Sequence, residues 1–199
     1  GTPAPNHVAK NSAEVLSRIA WDDSQLARLV AEVPGALAKL VAAVAAGGAG
    51  ATPRLQVAAA DSALVLASIA WAGGECARQV VEVPGALATL VAAVAAGGAG
   101  ATPSLQSAAK SSTSMLASIT RTSQEFVELI VEVPCALATL VAALAAGDAA
   151  ATPCLQAAAR NSAEALAHIT RANPGLVQRV MEVPGVLPAL VTAMAAGVA

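Results

Sequence analysis

A fixed period of 50 residues constrains this chain more than any other feature. The tetrapeptide Glu-Val-Pro-(Gly/Cys) begins at Glu32, Glu82, Glu132 and Glu182, while Ala-Thr-Pro-x-Leu-Gln begins at Ala51, Ala101 and Ala151, with a degraded copy in Thr2, Pro3 and Asn6. The 199 residues make four such periods less one. Units 1–50, 51–100, 101–150 and 151–199 are therefore expected to fill a single repeat domain spanning 1–199, with no second domain or linker. Repeats of this size are supersecondary blocks that cannot bury an apolar face alone, so neighbours must share a core. The second and third units agree almost letter for letter around Val-Glu-Val-Pro-x-Ala-Leu-Ala-Thr-Leu-Val-Ala-Ala, which points to recent duplication or consensus design.

Each unit carries three helical patterns separated by Pro and Gly. In the second unit, Glu75 to Glu82 reads as a short helix with Cys76, Val80 and Val83 inward, columns held by Leu26, Val30 and Val33 in the first unit and by Phe126, Ile130 and Val133 in the third. A second helix is predicted to open at Pro84-Gly85, where Pro fits a first turn and Gly a boundary. It continues to Ala96, with Leu87, Leu90, Val91 and Val94 at helical spacing. Gly97 to Ala101 reads as a loop. Thr102-Pro103 has the form of an N-cap followed by Pro at the first helical position, so a third helix is expected from Pro103 to Thr120. Its buried stripe is Leu105, Ala108, Ala109, Ser112, Leu116 and Ile119. In this phase the chain starts on a third helix, Pro3 to Ala20, and ends on a second one, Gly185 to Ala196. No segment alternates with period two or carries a β-branched run, and the fold class is all-α.

Ala supplies 54 positions and hydrophobic residues 56% of the chain, which raises the question of a membrane. Val83 to Ala109 is an uncharged run of 27 residues, yet Pro84, Gly85, Gly97, Gly98 and Gly100 interrupt it. The helical piece is about 12 residues, or ~18 Å at 1.5 Å per residue, well short of a ~30 Å hydrocarbon core. Membrane association is not expected, and no signal-peptide pattern opens the chain. Lys and Arg total 11 against 13 Asp and Glu, so there is no basic footprint for nucleic acid. Disorder is excluded by the hydrophobicity, and three cysteines cannot form a disulfide framework.

A short helix, then Glu82-Val83-Pro84-Gly85-Ala86-Leu87 with Leu90-Val91, a loop, and Leu105-Gln106, Ala108-Ala109 and Leu116-Ala117-Ser118-Ile119 resembles the armadillo repeat across the whole chain. The related HEAT repeat is the structural alternative; tetratricopeptide and ankyrin repeats are disfavoured by period. The resemblance implies a right-handed α-α superhelix, an armadillo-like solenoid, whose third helices line a concave groove for extended peptides. It also implies an Asn near the end of each third helix, gripping the ligand backbone, with a Trp four positions earlier. The Asn column falls on Arg18, Ser68, Ser118 and His168, and the Trp column on Glu14, Leu64, Ser114 and Glu164. Neither ladder is present. The ends carry no polar cap of the kind terminal repeats need, so the chain is expected to be a piece of a longer array or to pair with another copy.

The same helix face varies from unit to unit. One column holds His7, Val57, Ser107 and Ala157, and the next Asn11, Asp61, Ser111 and Asn161; with the two ladder columns they fall at steps of 4, 3 and 4, one face of a helix. A tailored binding surface would vary in this way, as would an unconstrained solvated face. The candidate partner-binding residues are Glu14, Arg18, Asp61, Asn161, Glu164 and His168, because folding does not need polar groups there. The expected role is a non-enzymatic scaffold for a protein or peptide partner. The alternative is a structural subunit that self-associates into a homo-oligomer through its ends.

Little else carries chemistry. The recurrent Glu32, Glu82, Glu132 and Glu182 would stand about 10 Å apart at a typical helix spacing, too far to share a proton. Arg28 and Arg78 precede two of them by four residues, so helical ion pairs are expected. His7 and His168 have no neighbour at ligand spacing, and no metal or other cofactor is proposed. Cys76 reads as core, Cys135 as a boundary residue and Cys154 as exposed; no nucleophile–base set can be assembled from them, and unpaired thiols suit a reducing, cytoplasmic setting. Trp21 and Trp71 end the third helix in two units and become Arg121 and Arg171 in the others. Packing is the simpler account of them, anchoring a partner the alternative. Gly-Gly-Ala-Gly lacks the Lys-Ser/Thr and the strand of a phosphate loop.

Overall fold

The computed structural model describes residues 5–148 and 150–197, and within them helices follow one another with no strand. They repeat in threes. A long helix, α1 (Pro5–Asp22), α4 (Pro53–Trp71), α7 (Pro103–Thr122) or α10 (Pro153–Ala172), leads to a short one, α2 (Ser24–Glu32), α5 (Gly74–Val81), α8 (Gln124–Glu132) or α11 (Pro174–Met181). An intermediate helix follows: α3 (Ala36–Ala46), α6 (Ala86–Ala96), α9 (Ala136–Ala145) or α12 (Val186–Gly197). Long helices pack on long helices, intermediate helices on intermediate ones, and each of α3, α6 and α9 also lies against the following long helix. The product is a right-handed, two-layer α-solenoid of four three-helix units. Leu66, Ile69, Leu90, Leu116, Ile119, Ile130, Leu140 and Ile169 are fully buried in one core that runs through the units.

The Ala-Thr-Pro-x-Leu-Gln motif works at the junctions. Thr102 and Thr152 are extended residues whose Oγ1 accepts from the backbone N–H of Leu105 and Leu155, each at 3.4 Å, with Pro at the first turn. The same hydroxyls donate to the Oε1 of Gln56 and Gln106 in the preceding unit, at 2.8 and 2.7 Å. Both Gln side chains are buried, and their amides donate to Ala51 O and Ala101 O. One threonine thus caps its own helix and ties it to the unit before.

Several expectations change. Leu26 and Val33, read as inward, are exposed on the first unit. Pro84 and Gly85 do not open the second helix but form the turn before it. Gly85 sits at φ +76° and α6 begins at Ala86, bent 89° from α5. The left-handed backbone there suits glycine; Cys135 holds the same place at φ +63°. Nor do Arg28 and Arg78 pair with Glu32 and Glu82. Arg28 reaches α4 and donates to Ala72 O from Nη2 at 2.6 Å and Nε at 3.2 Å, a charge-assisted bond at a helix C-terminus. Arg78 lies 5.4 Å from the Phe126 ring centroid and 3.9 Å from Glu75. The Arg28 bonds to a carbonyl and the Arg78 contact with the Phe126 ring outweigh an exposed i,i+4 pair worth about 0.3–0.5 kcal/mol. The four recurrent glutamates are exposed and, among the described residues, in no ion pair.

No single described helix is long and apolar enough to cross a membrane; the four short-plus-intermediate pairs reach that length and composition only across bends of 89–97°. Thr2 and Pro3, with the predicted start of the first third helix, lie outside the described residues, as do the side chains of His7 and Trp21.

Candidate functional site

Among the described residues, α4, α7 and α10 share an accessible stripe. In α4, beyond its first turn, the residues left partly open are Val57, Asp61, Leu64, Ser68 and Trp71, while those between them are buried. The steps are 4, 3, 4 and 3, so the variable columns share one face of the helix. In α7 the open positions include Ser107, Lys110, Ser114 and Arg121, and in α10 Ala157, Arg160, Asn161, Glu164 and His168. Ser111 and Ser118 depart from the pattern and are buried. Ser118 Oγ donates to Ala70 O at 3.2 Å, so this ladder position in the third unit is turned into a junction.

The six candidate residues fall into two groups. Glu14 and Arg18 form an exposed i,i+4 pair on α1 at 3.3 Å. Asp61, on neighbouring α4, has its carboxyl pushed above the usual range by burial and then by the Glu14 charge, with Lys10 opposing. On α10, His168 Nε2 stands 3.7 Å from Glu164 Oε1. Asn161 Nδ2 donates to Lys110 O at 3.2 Å and lies 3.4 Å from Thr113 Oγ1, so it clamps α10 to α7.

Between these groups a depression of about 510 Å³ crosses three successive long helices. Its walls are Leu64, Ser68 and Trp71 from α4, Lys110, Ser111 and Ser114 from α7, and Ala157, Arg160 and Asn161 from α10, with Ala20 and Ser24 at one edge. Trp71 stands at the rim, 44% exposed. Its Nε1–H donates to Ser114 Oγ at 3.1 Å and the Arg121 guanidinium covers its ring 4.2 Å from the centroid. Trp71 therefore both packs and presents an edge. The sequence reading missed Lys110 and Arg160 as lining residues. Their column (Lys10, Ala60, Lys110, Arg160) was legible only as one position beside the face chosen.

Cys76 is buried, Cys135 exposed and Cys154 half-buried, all as free thiols. Among the described residues no three His, Cys, Asp or Glu side chains are grouped to hold a metal ion. The depression offers hydroxyls, an amide, two cations and an indole on rigid helices, which is equipment for recognition.

Neither a family model nor a curated protein sequence matches the chain. Among solved structures, a computationally designed armadillo repeat protein for modular peptide recognition superposes with a TM-score of 0.73 at 25% identity, over 95% of this chain and 69% of that one. The fold is armadillo-like. An engineered protein aligns equally well, with a TM-score of 0.71 at 25% identity over 96% of this chain and 68% of its own. The third helix in every unit fits the armadillo alternative over a two-helix HEAT unit.

Proposed function

We propose that this armadillo-like chain is a non-enzymatic scaffold that binds a protein or peptide along its long-helix face. The depression across α4, α7 and α10 carries the reading, because it lies on the face whose residues differ between units while the core columns repeat. The likeness to a scaffold designed for peptide recognition supports it. Glu14, Arg18 and Asp61 would flank the groove on one side, with Glu164 and His168 on the other, and Asn161 would fix its floor. Selection from a displayed library of random peptides tests the proposal, with the Ser68→Trp variant filling the depression. Peptides should be enriched on the chain and lose binding to the variant, while binding to an Arg54→Ala variant, outside the depression, stays unchanged. An unenriched library, or enriched peptides indifferent to Ser68→Trp, would refute it.

A second reading rests on the outer faces. Val8, Val15 and Ile19 on α1, with Leu187, Val191 and Met194 on α12, are exposed. Their counterparts Ile69, Ile119 and Ile169, and likewise Val41, Val91 and Val141, are buried at internal junctions. A second copy docked head to tail would continue the same interface. Light scattering across a concentration series should then show growing oligomers that Val191→Arg abolishes; a monomer at every concentration excludes this reading.

A further inference from the structure

The depression has a charge of its own. Lys110 and Arg160 occupy one column of adjacent units and both line it, whereas no carboxylate does, in a chain whose formal net charge is -2. Among the described residues neither cation is in an ion pair; the pairs are Glu14–Arg18, Glu75–Arg78 and Glu164–His168. Arg121 adds a third positive group at the Trp71 rim. Of the acids on α4 and α10, Glu164 faces His168, and Asp61 lies beside Glu14 and Lys10.

From this geometry, and resting on the groove reading above, we infer that the depression takes an extended acidic peptide segment, two of its carboxylates meeting Lys110 and Arg160. Adjacent long helices are about 8–10 Å apart, and an extended chain rises about 3.3 Å per residue, so acidic residues two or three positions apart match the two cations. An apolar side chain beside them meets Leu64 and the open edge of Trp71. Ser114 accepts the indole N–H, which leaves its own hydroxyl proton for a ligand carbonyl. Two cations lining one groove from adjacent units repel each other, and an acidic ligand relieves that repulsion.

The composition of the groove-dependent peptides from the library tests this. Those lost on Ser68→Trp should carry Asp or Glu at two positions two or three residues apart. Replacing both acids by Asn or Gln in one such peptide should weaken binding about tenfold or more, and the loss should shrink at high salt. A Lys110→Glu/Arg160→Glu variant, checked for helical content by circular dichroism, should reverse the preference towards Lys and Arg; Arg54→Glu, outside the depression, should not. A groove-dependent pool that is neutral or basic overturns this inference and leaves the scaffold reading standing. An acidic pool indifferent to the double reversal, or equally sensitive to Arg54→Glu, overturns it too. The absence of any groove-dependent pool defeats both.

Discussion

The two glycines that end α3 and α6 look alike in sequence and differ in what surrounds them. Gly97 is the C-cap of α6 at φ -96° and ψ 20°, a backbone that alanine also adopts. A Cβ placed there would overlap the Cβ of Ala109 on α7 and stand 2.5 Å from Leu105 O. A Cβ at Gly98 would meet nothing within 4 Å, and Asp148 already fills the equivalent place in the third unit. The same substitution at the two neighbours should therefore have opposite signs. Where the backbone is compatible, Gly→Ala stabilises by about 0.4–1 kcal/mol through the unfolded chain. Forcing a methyl into a packed site costs about 1–3 kcal/mol, and one atom in the way at Gly97 is a backbone oxygen that cannot rotate aside.

Gly97→Ala should then lose roughly 0.5–2 kcal/mol, or several degrees in Tm at about 2–4 °C per kcal/mol for a chain of this size. Gly98→Ala should gain a few tenths to about 1 kcal/mol. Urea unfolding followed by far-ultraviolet circular dichroism reads both. Ala109→Gly removes one overlap and leaves the Leu105 carbonyl, and itself costs about 0.5–1 kcal/mol in a helix interior, so the double variant should lose less than the sum of the two single losses. A Gly97→Ala variant as stable as the parent, or a Gly98→Ala variant equally damaged, would mean that α6 and α7 do not approach as described.

Thr102→Val removes both the cap of α7 and the donor to Gln56, leaving a buried amide oxygen short of a partner; a loss of about 1–3 kcal/mol in urea is expected. Asp61 holds its proton more tightly when folded than its ordinary value of 3.8, so its contribution is most favourable below that value and is lost as pH rises through the folded pKa. Asp61→Asn should accordingly raise the urea midpoint at neutral pH, and the gap between variant and parent should close on acidification; a gap that widens towards low pH would contradict the placement of Asp61 beside Glu14.

The period was legible as recurrence of the same letters, and the helices, the Thr-Pro starts and most accessible columns as spacing along one helix, with Ser111 and Ser118 the buried exceptions. Leu105, Ala108, Ala109, Ser112, Leu116 and Ile119 are all buried as their stripe predicts. What crosses between units was not legible. Arg28 finds Ala72 O, Ser118 finds Ala70 O and Asn161 finds Lys110 O, each 44 to 51 residues away. Helical periodicity assigned Arg28 to Glu32 because it ranks local partners alone. The depression was hidden for the same reason, since its walls belong to three helices and no single one outlines it.

The variation on the long-helix face is coupled across junctions, which bears on whether that face is under constraint. The column Trp21, Trp71, Arg121 and Arg171 could be read as loose substitution at a solvated position, yet Arg121 of the third unit lies over Trp71 of the second. The change from Trp to Arg supplies the cation that stacks on its predecessor, worth about 0.5–1 kcal/mol at an exposed site. Four identical units would give a regularly ribbed surface with no distinct cavity at one place. The depression is lined by the small Ser68, Ser114 and Ala157 together with the large Trp71 and Arg160, a set that no other unit repeats in these columns. Differences between otherwise near-identical repeats therefore convert a periodic surface into one with a distinct place on it.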